Sequence, residues 1–323
     1  MKLPRSRPPP AIERPIFFIG MPRSGTTVIF EAFSAHPELA WFSQYFNRLP
    51  RFPSVALLSR IVDLDPRLRR RTEASDRGRR PWNDLRVGPS EAVLAWRHYC
   101  GTRFPDDFLI DERAPAAERR RLQATVSKLL RYQGKQRFVA KVTGPPRIGY
   151  LTSLFDDALF IHVIRDGRAV VQSLMRVPFW KDTFRLREPA WRNGLTDGEL
   201  ERWMRLGRSP IALAALEWGA VIRTARREAE RLPDGRYQEV RYEDFVSDPH
   251  ETLDRLLSFC ALRRSAYPHE ILDSRFSLRD MNRQWRDRLG ADELRALDEA
   301  IGDLLVEIGY RPEPGDAPVD RAS

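Results

Sequence analysis

The feature that most constrains the fold is a short apolar run, Ile16–Ile19, followed at once by a glycine-rich loop. Consecutive apolar residues that end at a glycine are typical of a central strand in a parallel sheet, because both faces of such a strand are buried. The loop has the spacing G-x-x-x-x-G and then two hydroxyl residues. A helix is predicted from about Thr26 to Ala35, where His36-Pro37 stops it. The sequence therefore predicts a strand, a tight loop and a helix in direct succession.

This loop, Gly20–Thr27, has the chemistry of an anion site. Its glycines allow backbone conformations closed to other residues, so successive N–H groups can converge on one anion at the start of a helix. Nucleotide-hydrolysing phosphate loops carry a lysine after the second glycine, but here Thr26 stands there and Arg23 supplies a cation from within the loop. A later apolar strand ends in Arg165, and no acidic strand end is evident to hold magnesium. We predict a metal-free anion site, with a tight turn that binds nothing as the alternative.

A second anion site is predicted at Arg165 and Ser173. Arg165 follows the apolar run Leu159–Ile164, and ligands of open parallel sheets bind at the carboxyl ends of the strands. Asp166 can cap the helix that follows, and Ser173 lies on that helix, so both side chains can close on one anion with Arg168 nearby. The alternative is a capped helix whose arginine forms a salt bridge.

The rest of the chain alternates between apolar strands and helices, which predicts one α/β domain with a mostly parallel central sheet flanked by helices on both sides. The later predicted strands are Phe138–Val142, Leu159–Ile164 and Tyr237–Tyr242. The later predicted helices are about Gly167–Arg176, Ile211–Leu232, Asp248–Cys260 and Asp292–Ile308. The core is expected at about residues 15–312, between loose ends. Two segments outside the alternation, about 41–111 and 179–208, are predicted to be lids or acceptor-binding insertions, with a partner surface or plain packing as the alternative.

Composition narrows the classes of protein that this chain can be. Its 323 residues are 42% hydrophobic, which is enough for a core, and no run of about 18 apolar residues predicts a membrane span. The basic, proline-rich start lacks the apolar segment of a secretion signal, and Cys100 and Cys260 form neither a disulfide framework nor a metal-ligand pattern. These features favour a cytoplasmic protein.

The chain is also strongly basic. Its formal net charge of +10 is carried mostly by arginine, whose planar fork suits phosphate and sulfate groups. No recognition motif for nucleic acid accompanies that charge, so nucleic acid is not a predicted partner. The arginine runs at 67–71 and 77–80 could attract an anionic glycan, a lipid headgroup or nucleic acid, but we favour a solvated loop.

The two anion motifs together resemble the sulfotransferase superfamily. Residues 22–27, PRSGTT, resemble its loop for the 5′-phosphosulfate of the donor, 3′-phosphoadenosine 5′-phosphosulfate. Residues 165–173, RDGRAVVQS, resemble its signature for the 3′-phosphate of that donor. The segments 242–249, YEDFVSDP, and 284–286, QWR, resemble later segments of bacterial members. The resemblance spans Ile16 to Tyr310.

The resemblance implies a P-loop-like fold and the transfer of a sulfuryl group to a hydroxyl, less readily an amine, of a small-molecule, lipid or glycan acceptor. It also implies that 3′,5′-adenosine bisphosphate is the product and that no metal is needed. The residues implied to hold the 5′-phosphosulfate are Arg23, Ser24, Gly25, Thr26 and Thr27. The residues implied to hold the 3′-phosphate and the adenine are Arg165, Ser173, Arg286 and Trp285. Arg23 is in addition a candidate for stabilising charge on the bridging oxygen.

The general base does not carry over from the family. The glutamate of tyrosine-directed members falls on Gln44, and the histidine of small-molecule members falls on Thr143. Glu91 and His98 are the replacement candidates, because they share a face if residues 89–99 are helical. The alternatives are an ordinary glutamate at a helix start and a half-buried histidine. His162 lies in the middle of a strand and is expected in the core.

Two other functions remain open at this point. A phosphate-loop kinase or nucleotide-hydrolysing enzyme would need magnesium, and the missing lysine argues against it. A non-catalytic relative that binds the donor without transfer is favoured by the loss of both family bases at Gln44 and Thr143.

Overall fold

The core of the molecule is a parallel sheet of five strands. The structure is a computed structural model that describes residues 10–64, 69, 86–177, 191–276, 278 and 282–310. Its strands are β1 (Ile16–Gly20), β2 (Leu39–Ala40), β3 (Arg137–Thr143), β4 (Leu159–Ile164) and β5 (Tyr237–Arg241). They lie in the order β2-β3-β1-β4-β5, and each neighbouring pair is parallel. The predicted strand–helix alternation is confirmed.

Helices cover the sheet and extend from its edges. In the first half of the chain the structure has α1 (Thr26–Phe33), α2 (Gln44–Arg48), a 3-10 helix (Pro53–Ser59), α3 (Arg60–Leu64), α4 (Val93–Cys100), α5 (Ala116–Gln133), α6 (Ile148–Leu154) and α7 (Gly167–Leu174). In the second half it has a 3-10 turn (Arg192–Gly194), α8 (Asp197–Arg205), α9 (Pro210–Ala229), α10 (Tyr242–Ser247), α11 (Pro249–Phe259), α12 (Tyr267–Arg275), α13 (Gln284–Arg288) and α14 (Ala291–Glu307).

The two faces of β1 show why the fold has three layers. Side chains alternate across a strand, so Ile16 and Phe18 point to one face while Phe17 and Ile19 point to the other. All four are fully buried. The first pair packs in a cluster with α1 and α11, and the second pair packs in a cluster with α4, α5 and α6. A third cluster joins α7, α9 and α14. The predicted α/β fold, with a parallel sheet between helical layers, is confirmed.

The observed element ends differ from the predicted ones by a few residues. Strand β2 was not predicted, because two residues carry no periodic signal. Helix α1 ends at Phe33, and β5 ends at Arg241 because Tyr242 already begins a helix. Asp248 caps α11 as predicted, since its side chain accepts a hydrogen bond from the Glu251 N–H.

The two predicted insertions are only partly within the described residues. In the first, residues 41–64, 69 and 86–111 are described and contain α2 to α4; in the second, residues 191–208 contain α8. Most of both arginine runs and residues 178–190 lie outside the described part of the chain. Within the described part, no helix is both long and apolar enough to cross a membrane.

Candidate functional site

The site forms where the carboxyl ends of the strands meet. In a parallel sheet all strands end at one edge, and the central strand β1 is paired with β3 on one side and β4 on the other. Gly20 is in register with Thr143, while Ile164 is in register with Arg241. The loop after β1, the end of β3, Arg165 and Tyr242 are therefore brought to one edge, at the point where the strand order reverses.

The loop after β1 is held in a conformation that depends on its glycines. Gly25 has φ of +85° at the N-cap of α1, and a Cβ on Gly20 would collide with the Val163 carbonyl oxygen. Arg23 also has positive φ, at +74°, although arginine rarely adopts this conformation. The Ser24 hydroxyl is buried and has no hydrogen-bond partner among the described residues. A buried hydroxyl without a partner is costly, so this loop is suited to a ligand oxygen.

The structure brings the two predicted anion segments together. Arg23 Nε donates to Ser173 Oγ at 3.0 Å, and Arg165 Nη1 donates to the Arg23 carbonyl at 3.1 Å. All three residues line one cavity of about 790 Å³, which also includes Thr26 and Thr27. A cavity of this volume can hold a nucleotide-sized ligand.

Arg165 is held in place by its neighbours. Its Nε donates to Asn282 Oδ1 at 2.7 Å, and Asn282 Nδ2 donates to Glu243 Oε1 at 2.6 Å. Its guanidinium lies 4.5 Å from the centre of the Tyr242 ring. Burial lowers the pKa of Arg165 from its ordinary value, and Arg23 acts in the same direction. An arginine fixed in this way can bind an anion with little loss of side-chain entropy.

Glu243 connects this arginine to three other segments. Besides Asn282, its Oε1 accepts the Asp166 N–H at 3.1 Å, and its Oε2 accepts the Tyr310 hydroxyl at 2.9 Å. Burial raises the pKa of Tyr310, and so does the Glu243 carboxylate. The carboxylate of Glu243 thus ties α10 to the N-cap of α7, to Asn282 and to the last residue of the described chain.

Neither Trp285 nor Arg286 is among the residues described as lining this cavity, although both belong to α13, which packs against α7. Trp285 is buried, and the guanidinium of Arg168 lies 4.4 Å from its ring centre. Arg168 also forms a salt bridge with Asp166, which caps α7 as predicted. Among the described residues, the cavity is lined at this end by two neighbours of Trp285 in α13, which are Gln284 and Arg288.

Lys141 links the loop after β1 to Glu91. It is a buried lysine on β3, and its Nζ lies 2.8 Å from Thr27 Oγ1 and 2.8 Å from Glu91 Oε1. The other carboxylate oxygen of Glu91 accepts a hydrogen bond from Thr143 Oγ1 at 3.1 Å. Glu91 thus comes from a distant segment to lie beside Thr143, the position at which a family histidine was expected.

Glu91 is partly open to solvent. Its side chain is 39% exposed and lines a small pocket of about 40 Å³ together with Val93, Trp96 and Phe104. A carboxylate at a pocket mouth, with a lysine and a hydroxyl to orient it, can accept a proton from a bound hydroxyl.

The helical premise that paired Glu91 with His98 is wrong. Helix α4 begins at Val93, and Ala92 has a left-handed φ of +55°, so Glu91 precedes the helix. His98 lies in the last turn of α4 near Arg51 and Arg121, and its pKa is lowered by burial and by these two arginines. It is absent from the residues described as lining the pocket beside Glu91.

Two other residues considered in the search for a base, Gln44 and His162, form hydrogen bonds within the fold. Gln44 is buried at the start of α2, where its amide accepts the Gly88 N–H and donates to the Arg86 carbonyl. Its role is to hold the segment that leads to Glu91. His162 is buried in β4, as predicted, where it contacts the hydroxyl of Tyr237.

Three residues of the site were not identified from the sequence. Lys141 gave a visible signal, since it is a lysine inside an apolar strand. Tyr242 and Glu243 were noted only as part of a segment, and nothing in the sequence places them against Arg165. Among the described residues, no group of three or more His, Cys, Asp or Glu side chains could hold a metal ion.

The fold is similar to that of one solved sulfotransferase, and two further sulfotransferase structures align with the chain less closely. STF9 from Mycobacterium avium is 19% identical, with 92% of this chain and 77% of that chain covered at a TM-score of 0.56. The sulfotransferase domain of the Synechococcus PCC 7002 olefin synthase is 17% identical, with 94% and 97% covered at a TM-score of 0.48. Mouse sulfotransferase SULT7A1 complexed with PAP is 11% identical, with 93% and 88% covered at a TM-score of 0.44. No curated protein sequence matches the chain.

The sequence itself identifies the family. A sequence profile described as the sulfotransferase family matches residues 15–266, which is more than half of the chain. That range contains the loop after β1, Glu91, Lys141, the Arg165–Ser173 segment and Glu243. The chain therefore belongs to the sulfotransferase family.

Proposed function

We propose that this protein transfers a sulfuryl group from 3′-phosphoadenosine 5′-phosphosulfate to a hydroxyl of an acceptor. The observation that carries the proposal is the convergence of Arg23, Arg165 and Ser173 on one cavity, joined through Lys141 to Glu91. One end of the arrangement suits a nucleotide with two anionic groups. The other end offers a carboxylate for the acceptor proton.

The side chains at the cavity fit the donor. Arg23, Ser24, Gly25, Thr26 and Thr27 would hold its 5′-phosphosulfate. The buried Ser24 hydroxyl, which has no hydrogen-bond partner in the described part of the chain, supports this assignment. The residues that would hold its 3′-phosphate and adenine are Arg165, Ser173, Arg286 and Trp285. When bound, the donor supplies an activated sulfuryl group. The oxygens of such a group carry negative charge, which the fixed cations Arg23 and Lys141 stabilise.

Glu91 is the proposed general base. Its carboxylate would take the proton of the acceptor hydroxyl as that oxygen bonds to sulfur, while the bond between sulfur and the 5′-phosphate oxygen breaks and 3′,5′-adenosine bisphosphate leaves. The hydrogen bond from Thr143 and the ion pair with Lys141 hold the carboxylate in one orientation. Because Lys141 also contacts Thr27, the base and the loop that holds the reacting group are kept at a fixed separation.

Lys141 also argues against a magnesium-dependent kinase. In a phosphate loop the residue at the position of Thr27 is the one whose hydroxyl binds magnesium. Here that hydroxyl lies 2.8 Å from the Lys141 ammonium. A cation at this point repels a second one, so we expect nucleotide binding to be independent of magnesium.

Binding of 3′,5′-adenosine bisphosphate in EDTA, measured by isothermal titration calorimetry, tests the donor site. Each charge-assisted hydrogen bond is worth about 1.5–3 kcal/mol, so Arg165→Ala should weaken binding about 10- to 100-fold. Arg236→Ala is the matched control, because Arg236 lies at the amino end of β5, whereas the proposed donor site lies at the carboxyl ends of the strands. Binding that requires magnesium, or that is equally strong in both variants, would contradict the proposal.

Single-turnover transfer to a panel of alcohols, phenols and sugars tests the base. Glu91→Gln should slow the transfer step about 10²- to 10⁴-fold and leave the affinity for 3′,5′-adenosine bisphosphate unchanged. His98→Gln is the companion variant and should transfer at the normal rate. An unchanged rate in Glu91→Gln would remove Glu91 from the mechanism, and a slow rate only in His98→Gln would assign the role to His98. Donor binding without transfer to any acceptor would favour the non-catalytic alternative.

A further inference from the structure

Residues 49–64 and the start of α4 expose large apolar side chains to solvent. We call these side chains the apolar surface; they are Leu49, Phe52, Leu57, Leu58, Ile61, Leu64, Val93 and Leu94. Phe52 is 59% exposed and Leu64 is 85% exposed. Single exposed apolar residues are common, but a group of this size in a short segment marks an interaction site.

The spacing along the 3-10 helix and α3 shows that this exposure is one-sided. Ala56, Ser59 and Val62 are buried and recur every three residues, which is the repeat of a 3-10 helix, so they face the core together. Four large apolar side chains outside this buried row are exposed; they are Leu57, Leu58, Ile61 and Leu64. The exposed apolar side chains therefore form a face that does not pack against the core.

Hydrogen bonds join this segment to the start of α4. Asn47 Oδ1 accepts the N–H groups of Leu94 at 2.8 Å and Ala95 at 3.2 Å. Leu49 follows Asn47 by two residues in the chain. Val93 also lines the pocket that contains Glu91. The apolar surface thus extends to the mouth of the pocket where the acceptor hydroxyl is expected.

The charge around this surface is positive. Residues 44–64 contain the arginines Arg48, Arg51 and Arg60 and one acidic residue, Asp63. Asp63 is already paired with Lys135 at 2.7 Å. Arg60 donates to backbone carbonyls at the end of α5, so no carboxylate among the described residues neutralises it. Exposed apolar side chains with a cationic rim match an anionic lipid bilayer, which accepts the apolar groups at its interface and attracts arginine.

We propose that the apolar surface docks on an anionic membrane and that the acceptor is a hydroxyl-bearing lipid in that membrane. Docking in this orientation presents the lipid headgroup to the pocket at Val93 and Glu91. The acceptor assignment rests on the proposed sulfuryl transfer, while the docking itself does not. Hydrocarbon contact supplies the attachment and the arginines select anionic membranes.

Co-sedimentation with vesicles tests the docking. Wild-type protein should bind phosphatidylcholine vesicles that contain phosphatidylglycerol and should bind pure phosphatidylcholine vesicles at least about tenfold more weakly. The double variant Phe52→Ser with Leu57→Ser should lower binding to the anionic vesicles about tenfold or more, because each apolar side chain is lost from the interface. The matched control is Met204→Ser with Val306→Ser, two residues about half exposed on α8 and α14, and it should bind like wild type.

The outcomes separate docking from the donor site. Affinity for 3′,5′-adenosine bisphosphate, measured on the same preparations, should be equal in all three proteins. If none of the three proteins bound this nucleotide, the proposed transfer would be refuted and the docking would not. Failure of the wild type to bind anionic vesicles, or equal binding by both double variants, would overturn the docking. A wild-type dimer that becomes a monomer in Phe52→Ser with Leu57→Ser, without vesicle binding, would assign the surface to a second copy of the chain.

Discussion

Replacing Gly25 by alanine should lower both the stability of the protein and the nucleotide affinity of the proposed donor site. Gly25 has φ of +85°, a conformation that costs an alanine about 1–2 kcal/mol. In addition, the new Cβ would lie 2.6 Å from Tyr242 Cε2 and closer still to Cδ2, so the ring has to move. Overpacking of this kind costs about 1–3 kcal/mol. We expect Gly25→Ala to lower the free energy of unfolding by about 2–5 kcal/mol.

The displaced ring has a second consequence. Tyr242 lies under the guanidinium of Arg165, so its movement disturbs the arginine proposed to hold the 3′-phosphate. The affinity of Gly25→Ala for 3′,5′-adenosine bisphosphate should therefore fall about tenfold or more in calorimetric titration.

Gly235 provides a control that separates the two costs. It has a similar φ of +74°, but a Cβ there would meet no atom of the described residues within 4 Å. Gly235→Ala should lose only the backbone part, about 1–2 kcal/mol, in urea denaturation, and its nucleotide affinity should be unchanged. If both variants lost equal stability and both bound the nucleotide normally, the packing of Tyr242 against the loop would be refuted as a determinant of the site.

Three further outcomes follow from buried polar contacts. Burial raises the pKa of Glu228, which accepts the Ile148 N–H, to about 6, so its folded pKa lies above the unfolded one; its contribution to stability, measured as the difference between wild type and Glu228→Gln in urea denaturation, should fall by about 2 kcal/mol as pH rises from 4 to 7. Asn282→Ala should weaken the binding of 3′,5′-adenosine bisphosphate about 3- to 10-fold, because Arg165 loses the acceptor of its Nε, and titration calorimetry checks this. Lys141→Met should slow single-turnover transfer more than tenfold, because it removes the cation between the loop and Glu91.

Local patterns in the sequence predicted most of the fold. Phosphate-loop spacing after Ile16–Ile19 determines a strand, a turn and a helix, since glycine conformations and apolar burial act over a few residues. The run Leu159–Ile164 predicted β4 with both its ends, because a strand buried on both faces is apolar throughout. Helix ends were less well predicted. Helix α1 ends at Phe33, two residues before the predicted end. The last turn of a helix depends on tertiary contacts, and the hydrophobic pattern of the sequence does not show these contacts.

The amino-acid sequence by itself determined the two anion motifs and the parallel sheet, because each depends on neighbours along the chain. Only the tertiary structure decided which groups complete the site. Glu91 contacts Lys141 and Thr143, which are about fifty residues further along the chain. Arg165, Asn282 and Glu243 form one chain of hydrogen bonds although they come from three separate segments. Such contacts are fixed by how helices and loops pack over the sheet edge, and that packing leaves no periodic trace in the sequence.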